Sequence, residues 1–214
     1  MQQLILASTS PRRRDLLALL GLSFEICAPS FEEQPVAGLL PIQQAERFAL
    51  EKARSVAAQQ PEHLVLGSDT FIELDGRMLG KPADLADAGA MLAQLAGRAH
   101  RVHSTVALCC TARRFERVGV ETATVWMKSG REFELASYLR SGESLGKAGA
   151  YSIQGEGSRL IARIDGDYTA VVGLPLRLVA RLLTEAGQSV PVDLDAVYRA
   201  TPYPNWAAFS SSLK

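Results

Sequence analysis

Three observations on the amino-acid sequence predict an α/β protein with a mixed β-sheet flanked by helices. Short apolar runs alternate irregularly with helical periodicities, one Asp-Gly pair sits between two strand-like arms, and 47% of the 214 residues are hydrophobic, enough for a sizeable core. The irregular alternation argues against a strictly doubly wound sheet, and the length suits one domain with two lobes around a cleft.

The elements follow in order. Leu4-Ile5-Leu6-Ala7 is a short apolar strand, Ser10 suits an N-cap and Pro11 the first helical position, and Leu16, Leu17 and Leu20 give the first helix its apolar stripe before Gly21. Residues 23–28 read as a strand, and 29–41 as a loop carrying Glu32 and Glu33. Pro41 opens a helix to about Ala58 with Ile42, Ala45, Ala49, Ala53 and Val56 on one face and Lys52 on its inner turns. Residues 63–67 form a strand ending in Ser68-Asp69-Thr70, and a hairpin turns at Asp75-Gly76 and ends in Gly80-Lys81-Pro82.

A helix from about Ala83 presents Leu85, Ala88, Leu92 and Leu95. Residues 102–111 and 118–128 have strand composition, 131–140 return to helix, and the glycine-rich 146–157 form a shaped loop before a strand at 159–164. Val171-Val172-Gly173-Leu174-Pro175 leads into a helix burying Leu178, Val179, Leu182 and Leu183. From Ser189 onward no clean periodicity is visible, so residues 1–188 are expected as the functional domain and 189–214 as a surface-hugging extension of unassigned role.

Charge narrows the function. Lys plus Arg and Asp plus Glu each total 23, so no global basic field exists to hold nucleic acid, and any anion site must be local. Cys27, Cys109 and Cys110 have neither metal-ligand spacing nor a disulfide framework and are expected as reduced core residues. No signal peptide or membrane-length apolar stretch is present, so a cytoplasmic location without membrane association is expected.

The run Arg12-Arg13-Arg14 at a helix start is unusual, because the macrodipole already places partial positive charge there. An anion bound by both the helix end and the guanidinium groups accounts for it. Asp69 at a strand end, Lys81 after the hairpin, Lys52 and Glu33 add a carboxylate among cations. That set suits phosphate chemistry, with the acid orienting water or holding a hard divalent metal and the cations neutralising phosphoryl oxygens. Other templates fail: Gly80-Lys81 and Gly146-Lys147 are followed by Pro82 and Ala148 rather than Ser or Thr, His63, His100 and His103 lack zinc spacing, and no G-x-S-x-G elbow occurs.

Six stretches in order, S-x-S-P-R-R at 8–13, E-K-A at 51–53, G-S-D-T at 67–70, G-K-P at 80–82, K-A-G-A-Y-x-I-Q-G at 147–155 and G-D-Y…V-V-G-L-P at 166–175, resemble the Maf family of nucleoside triphosphate pyrophosphatases, once described as septum-formation inhibitors. The resemblance spans about residues 3–186. It implies an elongated mixed sheet similar to that of inosine triphosphate pyrophosphatases. It also implies hydrolysis of a nucleoside triphosphate to the monophosphate and pyrophosphate with Mg, Mn or Co. By position it makes Asp69 the general base and a metal contact, Glu33 a second acid near the metal, and Ser8, Arg13, Lys52 and Lys81 ligands of the triphosphate.

Arg12, Thr70 and Gln154 match the subgroup acting on dTTP and UTP, where the 7-methyl-GTP subgroup carries Trp, Gln and Glu. The chemistry agrees, since an amide offers uracil or thymine both an acceptor and a donor, whereas a carboxylate offers only acceptors. The expected partner is a small-molecule nucleoside triphosphate, with no stable nucleic-acid binding and a homodimer as the candidate assembly.

Two other readings compete. One is a non-catalytic, nucleotide- or nucleic-acid-binding regulator of cell division, and the other a metal-dependent phosphatase releasing orthophosphate. Asp69 weighs against the first, because an acid repels a polyphosphate unless metal or water chemistry uses it.

Overall fold

The structure, a computed structural model, describes residues 2–129 and 132–209. Seven strands form a mixed sheet flanked by helices, in the order β2-β1-β3-β5-β6-β7 with β4 paired to β3. The strands are β1 (Leu4–Ala7), β2 (Phe24–Cys27), β3 (Leu64–Leu74), β4 (Arg77–Leu79), β5 (Ala99–Cys110), β6 (Phe115–Met127) and β7 (Ile161–Asp165). β1 runs parallel to β2 and β3, whereas β3–β4 and β6–β7 are antiparallel, which is the mixed character expected from one hairpin among βα units. The chain divides into two compact units, Met1–Thr70, Ser104–Glu121 and Gly173–Arg199 in the first, and Phe71–His103, Thr122–Val172 and Ala200–Lys214 in the second.

In the first unit, helix α1 (Pro11–Ala18) follows β1 directly and ends where Gly21 takes a φ of +66°. Helix α2 (Pro41–Ala57) buries Ala45 and packs Ala49, Ala53, Val56 and Ala57 in a cluster with Ile5, Ala7, Val65, Ala107 and Cys109. Alanines on that face let the helix approach the strands closely. Gly67 takes this furthest, because a Cβ there would run into the Ala49 carbonyl oxygen and lie 2.9 Å from the Ala53 nitrogen. Ile42, expected on the buried face, is exposed at the first turn of α2. Helix α6 (Leu176–Glu185) closes this unit with Leu178, Val179, Leu182 and Leu183 buried as expected, and a short α7 (Leu194–Ala200) follows.

In the second unit, helix α3 (Leu85–Leu95) is capped reciprocally. The Asp87 amide donates to Asp84 Oδ1 at 2.8 Å, and the Ala83 amide donates to Asp87 Oδ2 at 2.9 Å. Ala88, Leu92 and Leu95 are buried while Leu85 is exposed, so the apolar stripe begins one turn later than its sequence pattern suggests. Helices α4 (Glu132–Arg140) and α5 (Tyr168–Val172) and the terminal turn α8 (Trp206–Phe209) complete it. The expected helix start at Arg131 lies outside the described residues. Beyond residue 189 the chain is more structured than its lack of periodicity suggests, since it forms α7 and α8 and buries Trp206. All three cysteines are free, and burial pushes the Cys109 thiol up to about 12, which makes it inert at neutral pH.

Candidate active site

Asp69 lies not at a strand end but within β3, which runs unbroken to Leu74. The pairing with β1 nevertheless ends at Leu66, so Asp69 sits on a stretch of β3 past its β1 register. Side chains alternate along the strand. Asp69 therefore shares the α2-facing side of β3 with Val65 and Gly67, and Ser68 and Thr70 project to the other.

On the α2 side, Lys52 Nζ donates to Asp69 Oδ1 at 2.7 Å and lies 2.5 Å from Glu33 Oε1. Lys52 and Asp69 are both buried, at 7% and 9% exposure, while the Glu33 side chain is 41% exposed. Backbone geometry supports the acid from behind, since Thr105 Oγ1 donates to the Asp69 carbonyl at 3.2 Å and to that of Ala45 at 3.0 Å. Lys52 is thus an internal cation whose packing is set by the close approach of α2 over Gly67.

On the other side, the Gly173 carbonyl is the hub. It accepts from Arg13 Nε at 3.1 Å and from Ser68 Oγ at 3.1 Å, while Arg13 also reaches Thr70 Oγ1 at 3.4 Å and Thr70 Oγ1 bonds Ser104 Oγ at 2.8 Å. Gly173 holds a φ of +121°, a backbone conformation that L side chains rarely adopt. Burial holds the Arg13 guanidinium below its ordinary range, opposed by the Asp69 carboxylate, reinforced by Arg12 and opposed again by Glu33. Arg12, Arg13, Lys52, Glu33 and Asp69 therefore belong to one electrostatic cluster, three cations against two carboxylates.

The turn between β1 and α1 is shaped by Ser8, whose buried hydroxyl accepts from the Ser10 amide at 3.2 Å. Ser10 takes the N-cap position with extended backbone, yet its side chain makes no capping hydrogen bond.

Lys81 and Gln154 belong to the second unit. Lys81 is exposed on the loop between β4 and α3, and Gln154 is half-buried on the loop after the glycine-rich turn. The glycine-rich turn that precedes Gln154 meets the Lys81 loop, because the Gly149 amide donates to the Gly80 carbonyl at 3.0 Å and Gly149, at a φ of +64°, packs against Ile72. Glu143 holds the far side of the Gln154 loop, accepting from the Glu156 amide at 2.8 Å and the Gly157 amide at 3.3 Å. His100 and His103 are buried and hydrogen-bonded to protein groups, to Tyr151 in the first case and to Thr122 and Glu73 in the second.

A divalent metal of the Mg or Mn kind asks for hard oxygen donors. Glu33 and Asp69 converge on one lysine nitrogen and supply hard oxygens, while among the described residues no group of three His, Cys, Asp or Glu side chains could hold an ion. This fits the octahedral hard-cation class, which takes one or two carboxylates and completes its shell with water and substrate phosphate, and it does not fit an all-protein cage.

Residues 3–186 match the family model described as Maf-like protein. The chain belongs to the Maf family. The dTTP/UTP pyrophosphatase of Pelotomaculum thermopropionicum is 45% identical over 190 residues, covering 89% of this chain and all of that protein. Those of Symbiobacterium thermophilum and Vibrio cholerae are each 45% identical, covering 89% and 86% of this chain and 97% of each relative. Among solved structures, the Staphylococcus aureus Ham1 protein aligns with a TM-score of 0.44 at 15% identity, over 61% of this chain and 74% of that one.

Sequence reasoning reached the Maf motif residues but missed what supports them. Gly173 is visible in V-V-G-L-P, yet a carbonyl acceptor leaves no signature in a side chain. Glu143 and Ser104 carry no local signal, because their partners are distant in sequence or lie on the backbone.

Proposed function

We propose that this Maf protein is a nucleoside triphosphate pyrophosphatase that cleaves dTTP and UTP between the α- and β-phosphates, giving the monophosphate and pyrophosphate and clearing such nucleotides from the pool. The observation that carries the reading is the buried Asp69 carboxylate beside Lys52 and in electrostatic contact with Arg13, which in turn feels Arg12. The 45% identity to relatives named dTTP/UTP pyrophosphatase over nearly their whole length supports it.

In this reading Asp69 takes a proton from the attacking water. Lys52 orients the carboxylate and, with Arg13 and Lys81, neutralises charge that develops on the phosphoryl oxygens. Ser8 and the uncapped amides at the start of α1 add donors for phosphate. Glu33 and Asp69 are the residues that would hold a divalent cation, which supplies charge neutralisation when bound. Arg12, Thr70 and Gln154 select the base, with the Gln154 amide matching the donor and acceptor edge of uracil or thymine.

A regulator that merely binds nucleotide gains nothing from a buried acid next to the phosphate site, so the enzymatic reading is preferred. A nucleotide panel tests it. With a divalent metal, UTP and dTTP are expected to turn over well ahead of CTP and GTP. Equal rates on all four contradict the base assignment, and no turnover on any contradicts the enzyme.

A further inference from the structure

The family match ends at residue 186, but the chain continues and returns to the Gln154 loop. Asn205 Nδ2 donates to the Ile153 carbonyl at 3.0 Å and reaches the Gly155 carbonyl at 3.4 Å. These are the carbonyls immediately before and after Gln154, so one side-chain amide spans the residue on both sides.

The segment bearing Asn205 is itself anchored. The Trp206 ring is buried and stacks on Tyr168, with centroids 5.3 Å apart and planes within 11°, and Phe209 stacks on the same ring at 6.5 Å. The Tyr168 hydroxyl donates to the Pro204 carbonyl. Asn205 takes a φ of +64°, a left-handed conformation that asparagine adopts more readily than most residues, and this turns its side chain back on the loop. Three contacts, all on Tyr168, thus tie 204–209 to the body of the second unit and present one amide to the loop.

We propose that this C-terminal segment is a brace that positions Gln154, and that Asn205 is a specificity-determining positioning residue. The idea rests on the reading of Gln154 as the group that recognises the base. Glu143 holds the loop amides of Glu156 and Gly157 from one side, and Asn205 holds its carbonyls from the other. With both in place the loop backbone on either side of Gln154 is bonded at carbonyl and amide, and the side-chain amide enters the binding step with little freedom left to lose. Asn205 is exposed and its contact with the Gly155 carbonyl lies at the surface, whereas Ile153 is buried, so loss of the amide is relieved when the loop opens and lets water reach the Ile153 carbonyl. The effect falls on the loop, not on global stability.

The test uses the full chain with Asn205→Gly, which keeps the left-handed backbone and removes the amide, and Asn205→Asp, which keeps size and turn preference but sets a carboxylate against two carbonyls. Amide hydrogen exchange without nucleotide is expected to accelerate about tenfold at Gln154, Glu156 and Gly157 in both variants, with the thermal midpoint unchanged. In steady-state kinetics the KM for UTP and dTTP is expected to rise about fivefold while kcat stays within about twofold, and the preference for UTP over GTP falls by the same factor. Asn205→Asp is the more severe.

Unchanged exchange overturns the brace. Faster exchange with an unaltered UTP-to-GTP ratio overturns the specificity role, and kcat falling together with the thermal midpoint reduces Asn205 to a general stabiliser. If the parent chain leaves UTP uncut, the proposed function fails on its own, and the exchange result alone still decides whether Asn205 holds the loop.

Discussion

Lys52 on α2 donates to Asp69 on β3 at 2.7 Å, and both side chains are buried. Two elements must lie unusually close for a lysine to be folded back onto a strand carboxylate in this way. Gly67, two residues before Asp69 on the same face, provides the space. The Ala49 and Ala53 side chains keep the helix surface thin on either side of Lys52.

Gly67→Ala should therefore act on the pair without touching it. The added methyl meets the α2 backbone, which moves less easily than a side chain, and overpacking of this kind costs about 1–3 kcal/mol. A lower thermal midpoint together with reduced kcat is the expected result. If Gly67→Ala melts and turns over like the parent, α2 is not held at this distance by the missing Cβ.

Lys52→Met leaves a buried carboxylate without its main cation, and breaking a buried pair in this way costs about 3–5 kcal/mol of stability. The Glu33 contact adds less, since its side chain is 41% exposed and partly screened by water. Asp69→Asn in the same chain restores a neutral site, so denaturant titration should show the double variant recovering most of the lost stability. Activity should not recover with it. Losing the general base alone lowers kcat by about 10²–10⁴-fold. A double variant as active as Lys52→Met alone would falsify the assignment of Asp69.

Arg13 and Gln154 should separate in kinetics. Arg13 is fixed by the Gly173 carbonyl and Thr70, and in its proposed role on phosphate common to every substrate it should affect all nucleotides alike. Arg13→Ala should lower kcat/KM for UTP, dTTP, CTP and GTP by similar factors. Gln154→Glu should instead penalise UTP and dTTP selectively, by about 1–3 kcal/mol for a mispaired buried contact. Equal losses on all four nucleotides in Gln154→Glu contradict this division of labour.

His100 supplies a pH dependence of stability. Burial drives its folded-state value down to about 4, its Nδ1 is buried without a hydrogen bond, and the unfolded chain titrates at about 6.5. Between these values the unfolded state binds the proton and the folded state does not, so stability rises with pH there. The contribution is fully present above pH about 6.5 and is lost as pH falls toward 4, at about 1.4 kcal/mol per unit. Urea unfolding at pH 7 and pH 5 should differ by about 2 kcal/mol more in the parent than in His100→Gln. The same pH dependence in both proteins would assign the acid sensitivity elsewhere.

Much of this architecture was legible from the sequence because it is local. Leu4–Ala7 followed by Ser10-Pro11 and the Leu16, Leu17 and Leu20 stripe specify a strand, a turn and a helix within about twenty residues. Three features were hidden by their non-local causes. Gly67-Ser68-Asp69 has the composition of a turn, yet the glycine serves helix approach and the strand continues through it. The final segment lacks periodicity because its order comes from contacts distant in sequence, among them Trp206 stacked on Tyr168 across 38 residues and the Tyr168 hydroxyl on the Pro204 carbonyl. The candidate site residues were legible as residue types in motif order, while the Gly173 carbonyl that joins Arg13, Ser68 and Thr70 was not.

The central claim is that Asp69 activates water to cut a pyrimidine triphosphate between its α- and β-phosphates. Product analysis of UTP hydrolysis by phosphorus NMR, in parent and Asp69→Asn proteins shown to be equally folded, tests it most directly. The account predicts UMP and pyrophosphate as the only products of the parent, and almost none from the variant. Orthophosphate with UDP, or undiminished pyrophosphate release by Asp69→Asn, would contradict it.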